Sequence, residues 1–363
     1  MTYLPYSRSL EQIAPDEAAT FAGIAETFTR MGEQVAGQEG RALRVSHAKP
    51  TALLTGTLTV QEGLPAELAQ GIAAAPRQYE TLIRFAQGPG ELLDDRISTH
   101  RGMAVKLLGV PGERIAEAGD ADVQDFVLEA HSKAFINADA TRFLANLRAG
   151  VSRAPSMSEG MKSTVSRTAR AAEAALEAVG LESKTLGFFG HPPLHPLAEA
   201  YFSQVPMRWG GYVAKVGFYP TGQTCAALGE LEVDNGDDPI AFRNAMVDHF
   251  AQAGAAFELR VQLAIDPEST PIEDAAVEWP EDASPYRTVA MLEIPPQTAW
   301  SEARDAFFTP LSFRPAHSLA AHRPLGQIMR ARLFVYERLV AFRRSRNGEQ
   351  PAEPRSIHEV PAG

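Results

Sequence analysis

Apolar positions along the chain recur with two different periods. Residues 14–37 place Phe21, Ile24 and Phe28 at helical spacing, with acidic residues near the start, which predicts an amphipathic N-terminal helix. Residues 51–60 (TALLTGTLTV) are rich in threonine and leucine and predict a strand. Further strands are expected over 79–87, 103–110 and 123–130, and again over 211–220, 256–265 and 288–295. Helices are expected over 63–76, with Pro65 in the first turn, and over 139–149, 156–179 (before Gly180) and 235–253. Pro324 opens a last helix running to about Asn347. Strands separated by turns, with helices inserted and appended, predict an α+β chain built on a large antiparallel β-barrel. The expected organisation is an N-terminal helical arm over 1–43, a main domain over 44–347 and a tail over 348–363. That tail is rich in proline and charge and is expected to be flexible, either disordered or draped on the domain.

Composition narrows the function classes. The chain has 363 residues, enough to bury a large core, with 45% hydrophobic and 22% charged positions. A net charge of -11 argues against nucleic acid or anionic membrane as a partner. The single cysteine, Cys225, rules out an intrachain disulfide and a cysteine-based metal cluster. The stretch MTYLPYSRSL lacks a basic region followed by an apolar core, and no run is apolar enough to span a bilayer, so the expected location is cytoplasmic. No Gly-x-Gly-x-x-Gly and no Gly-Lys-Ser/Thr loop argues for a nucleotide site.

The last predicted helix carries the most readable chemistry. Arg332 and Tyr336 lie four apart and share a face, and Arg343 follows seven beyond Tyr336 on the same face. A phenol titrates near ~10, so ligating a metal at neutral pH requires a neighbouring cation to favour its anion. Far upstream, His47 sits in Arg44-Val-Ser-His47-Ala-Lys49. A tyrosinate and a histidine together suggest a haem iron held by the phenolate, with the imidazole on the opposite face. A haem has two carboxylates, and Arg44, Arg84 and Arg343 are candidates to pair them. The other arginines of the basic cluster, Arg338, Arg344 and Arg346, read as a solvated helix end.

Five segments, in order, resemble the catalase superfamily: RVSHAKPTALLTGTLTV, LIRFAQGPGELLDDRISTHRGMAVKLLG, DFVLEAHSKAFINADATRF, PLAEAYFSQVPMRWGGYVAKVGFYP and PLGQIMRARLFVYERLVAFRR. The match covers about residues 44–344, and the chain looks like the compact bacterial branch, whose relatives include enzymes converting fatty-acid hydroperoxides. The resemblance implies a catalase-like fold and haem b (iron protoporphyrin IX). Tyr336 would be the proximal iron ligand, Arg332 its phenolate partner and His47 the distal acid–base. Arg44, Arg84 and Arg343 would hold the propionates. Phe135 and Phe143 would shape the distal cavity, Phe143 close to the porphyrin.

The chain departs from catalases where peroxide is oriented. Ala130 is aligned with the usual distal asparagine, and Ala86 with the serine that supports the histidine; Pro50 stands where glycine is usual. Glu129 or His131 would fill the lost role if the alignment slips by a residue. A methyl group donates no hydrogen bond, so hydrogen peroxide should be handled poorly and an organic hydroperoxide accommodated better. The expected activity is therefore a haem peroxidase acting on organic, including fatty acid, hydroperoxides under oxidative stress, with weak disproportionation of hydrogen peroxide and an unnamed electron donor. A true small catalase and a non-enzymatic haem store or sensor remain the alternatives; a homo-oligomer is compatible with either. His191 and His195, in a proline-rich stretch, read as a rigid connector, Asp94-Asp95 as a turn, and His317 and His322 as structural.

Overall fold

A computed structural model describes residues 2–363 apart from Ser98, Asp120, His131, residues 154–190, Glu230, Asp237, Pro351 and Ala352. The predicted helix over 156–179 lies outside the described residues. Nine strands occur in the described residues: β1 (Pro50–Val60), β2 (Gln78–Gln87), β3 (Arg101–Leu108), β4 (Val123–Ala130), β5 (Tyr201–Phe202), β6 (Met207–Trp209), β7 (Tyr212–Pro220), β8 (Ala255–Leu263) and β9 (Arg287–Ile294). All pairings are antiparallel, and their order closes a ring. The short strand β5 is the clasp, because Tyr201 stands opposite both Ala130 of β4 and Phe218 of β7. Closure satisfies the backbone groups that an open edge would leave bare. β6 is a short addition on β7 outside the ring.

Strand alternation sorts the side chains. Ile83 and Phe85 of β2, Met103, Val105 and Leu107 of β3, and Phe126, Leu128 and Ala130 of β4 join one core cluster inside the barrel. The intervening positions, Arg84, Ala86, Gly102, Ala104, Val127 and Glu129, are therefore on the outer face. Helices α1 (Glu17–Glu39), α2 (Ala140–Arg153) and the long C-terminal helix pack together through Phe21, Ile24, Leu144, Met329 and Val335. The shorter α3 (Gly222–Leu228), α4 (Ala241–Phe250) and α5 (Glu302–Phe308) precede that last helix, α6 (Gln327–Asn347).

Two predicted helices are shorter than their sequence patterns suggest. The stretch 63–76 contains only a 3-10 turn, Gly71–Ala73. Gly71 has φ +55, and a side chain there would collide with the His322 ring. The backbone is instead bound by distant groups: Ile72 N–H donates to His322 Nε2 at 2.9 Å, and Trp209 Nε1–H to Leu68 O at 2.9 Å. In 235–253 only Ala241–Phe250 is α-helical, because Asp238 Oδ1 accepts from Ile240 N–H and holds the preceding residues in a turn. The chain end is draped: Ile357 N–H donates to Glu80 at 3.0 Å, Arg304 to Pro361 O at 3.0 Å, and Val360 is buried against Phe308 and Leu82. No helix among the described residues is long and apolar enough to cross a membrane.

Candidate active site

A cavity lies between the outer face of β2–β4 and helix α6. The strands contribute Arg84, Ala86, Gly102, Ala104 and Val127, and the helix contributes Tyr336, Leu339, Val340 and Arg343. Arg44 and His47 reach it from the loop before β1. The helical residues fall at i, i+3, i+4 and i+7, so one face of α6 forms that wall. The structure thus brings together residues separated by almost three hundred positions, as the sequence suggested.

The cavity has an unbalanced cationic end. Arg44 donates to Phe308 O and Leu311 O, both at 2.9 Å, and Arg84 to Ala48 O at 3.1 Å. Arg343 donates to Leu311 O at 3.1 Å and to Thr309 O, and meets Glu349 at 3.3 Å. Arg44 and Arg84 have carbonyl partners and no ion pair among the described residues. Burial, then repulsion from Arg84 and Arg343, pushes Arg44 well below its ordinary basicity. Burial also dominates at Arg84, which is pushed down to about 10.

On α6, Arg332 donates to the Tyr336 hydroxyl at 3.5 Å, with its guanidinium over the ring at 5.5 Å from the centroid. His47 is held differently. Its N–H donates to Gly88 O at 2.7 Å, and its backbone sits at φ +53, a conformation costly for a residue with a side chain. A Cβ on Gly102 would fall 2.6 Å from the His47 ring, so only glycine leaves room for the imidazole there. His47 Nε2 lies 2.7 Å from Glu129 Oε1, and His100 Nε2 lies 3.9 Å from Glu129 Oε2. The three side chains are half-buried, with ligand-type atoms within 4.8 Å of one another. Burial opposes the charge on Glu129, but His47, His100 and Arg332 outweigh it and hold the carboxyl below its usual range. Burial pushes the His100 imidazole down to about 4.

Two sequence assignments change here. Ala130 does not face His47: it is 3% exposed, packs in the barrel core and stands opposite Tyr201. The outward neighbour, Glu129, meets the histidine. A one-residue shift on a strand moves a side chain to the other face, which is why Glu129, and not Ala130, stands beside His47. His131 lies outside the described residues. Phe135 and Phe143 pack against each other at 5.4 Å and join the α1–α2–α6 cluster, and neither is among the residues that line the cavity. Sequence reasoning missed His100 altogether. The outward alternation of Val127 and Glu129 was the available signal for Glu129.

Other charged residues form closed clusters. His191 and Arg101 both pair with Glu199. Asp125 accepts from Lys106 at 2.9 Å, from His317 at 2.8 Å and from Arg314 N–H at 2.9 Å, while Glu353 meets Lys106 at 3.0 Å. Asp95, expected in a simple turn, is fully buried and accepts from Lys49, Gln87 and Phe242 N–H. His195 caps the turn Pro196–Ala198.

No family model matches the sequence, and no curated protein is detectably similar to it. Solved structures do match. A fungal catalase shares 18% identity with a TM-score of 0.60 over 86% of this chain and 60% of its own. A bacterial catalase shares 14% with a TM-score of 0.59 over 90% and 63%. Catalase A from Saccharomyces cerevisiae shares 16% with a TM-score of 0.59 over 85% and 62%. The chain has the catalase-like fold and spans a little over 60% of the length of these structures.

Proposed function

We propose that the cavity binds haem b and that the protein reacts with peroxides, preferring organic hydroperoxides to hydrogen peroxide. The observation that carries this reading is the cluster of Arg44, Arg84 and Arg343 at one end of a largely apolar cavity. Three cations with one carboxylate in contact, Glu349, and a second nearby, Asp305, their basicity depressed by burial, leave positive charge that calls for an anionic ligand. A planar apolar group with two carboxylates fits that demand. Tyr336 would hold the iron through its oxygen, with Arg332 favouring the phenolate anion. Arg44, Arg84 and Arg343 would hold the propionates.

Haem would supply the iron at which peroxide O–O bonds are cleaved. His47 would take the peroxide proton and return it to the leaving oxygen. Ala86, Ala104 and Val127 keep the wall apolar and short, which suits an alkyl chain and excludes water. An external electron donor would complete a peroxidase cycle.

The test is titration of haemin into the haem-free protein, followed by its visible spectrum. Saturation at one equivalent is expected. Tyr336→Phe keeps the shape but removes the ligand oxygen, so haem should be lost or its ferric spectrum changed. An unchanged spectrum and haem content would overturn the assignment. Oxygen release from hydrogen peroxide, compared with dye oxidation by an organic hydroperoxide, separates a catalase from a peroxidase.

A further inference from the structure

We infer that Glu129 is the positioning residue of His47, fixing which ring nitrogen carries the proton, and that its charge makes this side of the cavity reject small anions. The inference rests on the haem reading for its anion arm only. An ionised carboxylate can only accept, so the 2.7 Å contact requires the proton on His47 Nε2. Nδ1 is then the basic nitrogen. It is buried and has no partner among the described residues, and it lies beside Gly102, which lines the cavity. The second carboxylate oxygen, Glu129 Oε2, is likewise buried without a hydrogen-bond partner.

The arrangement has chemical consequences. When Nδ1 takes a proton from a peroxide O–H, the imidazolium formed is stabilised by the carboxylate at Nε2. The proton later returns from Nδ1 to the leaving oxygen, and Glu129 remains ionised throughout. The positive φ at His47 and the glycine at 102 hold the ring in this pose at a cost the loop bears. Before protonation the pair carries one negative charge, which opposes azide, fluoride or cyanide but not a neutral hydroperoxide. The groups facing the pair are His100, from the segment entering β3, and Arg332, from α6; Arg101 and His191 act on His100 in turn. His100 stays neutral near pH 7 and does not cancel the carboxylate, while Arg332 offsets part of its charge from α6.

The experiment compares wild type with Glu129→Gln, which keeps an acceptor oxygen but removes the charge. Nitrogen NMR of histidine-labelled, haem-free protein should show His47 as the Nε2–H form. In the variant, whose amide can accept or donate, that preference should be lost and the Nδ1–H form should appear beside it. On haem-loaded protein, azide and fluoride should bind at least about tenfold more tightly to Glu129→Gln, as read from the ferric spectrum. An unchanged tautomer ratio in the variant, or an Nδ1–H tautomer in wild type, overturns the proposal whether or not haem binds. Failure of haemin to bind at all would overturn the functional reading instead and leave the NMR arm to decide this one. A shift of both the His47 and the His100 ring-nitrogen signals on adding one equivalent of Zn²⁺ to purified, chelator-treated protein would also overturn it, since the three side chains would then serve a cation.

Discussion

Two buried clusters of charge stand on opposite accounts in this molecule. At Lys106, Asp125, His317 and Glu353, cations and carboxylates are paired within the chain, and Asp125 accepts four hydrogen bonds at or below about 3.1 Å. At Arg44, Arg84 and Arg343, three guanidiniums converge on a cavity with one carboxylate in contact, Glu349, a second nearby, Asp305, and a set of backbone carbonyls. Burial is similar, so desolvation costs are similar, but only the first cluster is compensated by the protein itself. The difference separates a self-compensated network from a cluster with positive charge to spare, which is the ground for proposing a ligand there. A fold retains like charges in a pocket when an outside ligand offsets them.

The largest expected effect is on the closed side. Asp125→Ala removes the acceptor from a fully buried Lys106, so unfolding in urea should show a loss of about 3–5 kcal/mol. A loss below about 1 kcal/mol would mean that Glu353 alone satisfies the lysine, and the contrast would weaken.

A smaller change is expected on the open side, and it should divide by ligand. Arg84→Met relieves repulsion with Arg44 and Arg343 while losing the bond to Ala48 O. Haem-free stability should therefore stay within about 1 kcal/mol of wild type. Haem affinity should fall by about 10- to 100-fold, the worth of one charge-assisted hydrogen bond to a carboxylate. Equal effects on both quantities would make Arg84 a structural residue like Lys106.

The least change concerns pH. Burial pushes His100, His195 and His322 down to about 4. Their folded values lie below the unfolded value near ~6.5, so the unfolded chain binds more protons between these limits. Stability should be full above about pH 6.5 and decline as pH falls towards 4. His322→Asn keeps a side-chain acceptor for Ile72 N–H and removes one titrating group. Its acid-side slope should be shallower than that of wild type, measured by urea midpoints at stepped pH; an equal slope would assign the decline to other groups. Glu199 acts lower still: burial opposes its ionisation, but Arg101 and His191 draw it down to about 2, so its contribution is lost only below about pH 4.5.

The seven longer strands and the last helix were legible because each has a clear local pattern, whereas the short β5 and β6 have none. Apolar alternation in VQDFVLEA, and the spacing of Arg332, Tyr336 and Arg343, survive into the structure nearly residue for residue. The 63–76 helix was not, because its backbone donors and acceptors are captured by Trp209 and His322, which no local window contains. Glu129 was missed as the leading candidate for a different reason. An alignment one residue out is invisible in sequence, yet it exchanges the barrel interior for the cavity.

The sequence by itself determined the longer strands, the last helix and the α+β class, and supplied the tyrosine, histidine and arginines on which the proposed haem site rests. Local periodicity and side-chain chemistry are properties of short segments and need no partner to be read. Tertiary structure alone decided what those residues meet. Barrel closure through Tyr201 sets which strand positions face out, and so puts Glu129 against His47 and Ala130 in the core. Packing of α6 across β2–β4 gathers Arg44, Arg84 and Arg343 into one cavity. Charge balance is a sum over neighbours in space, so whether an arginine is paired or left open to a ligand emerges only when the chain has folded.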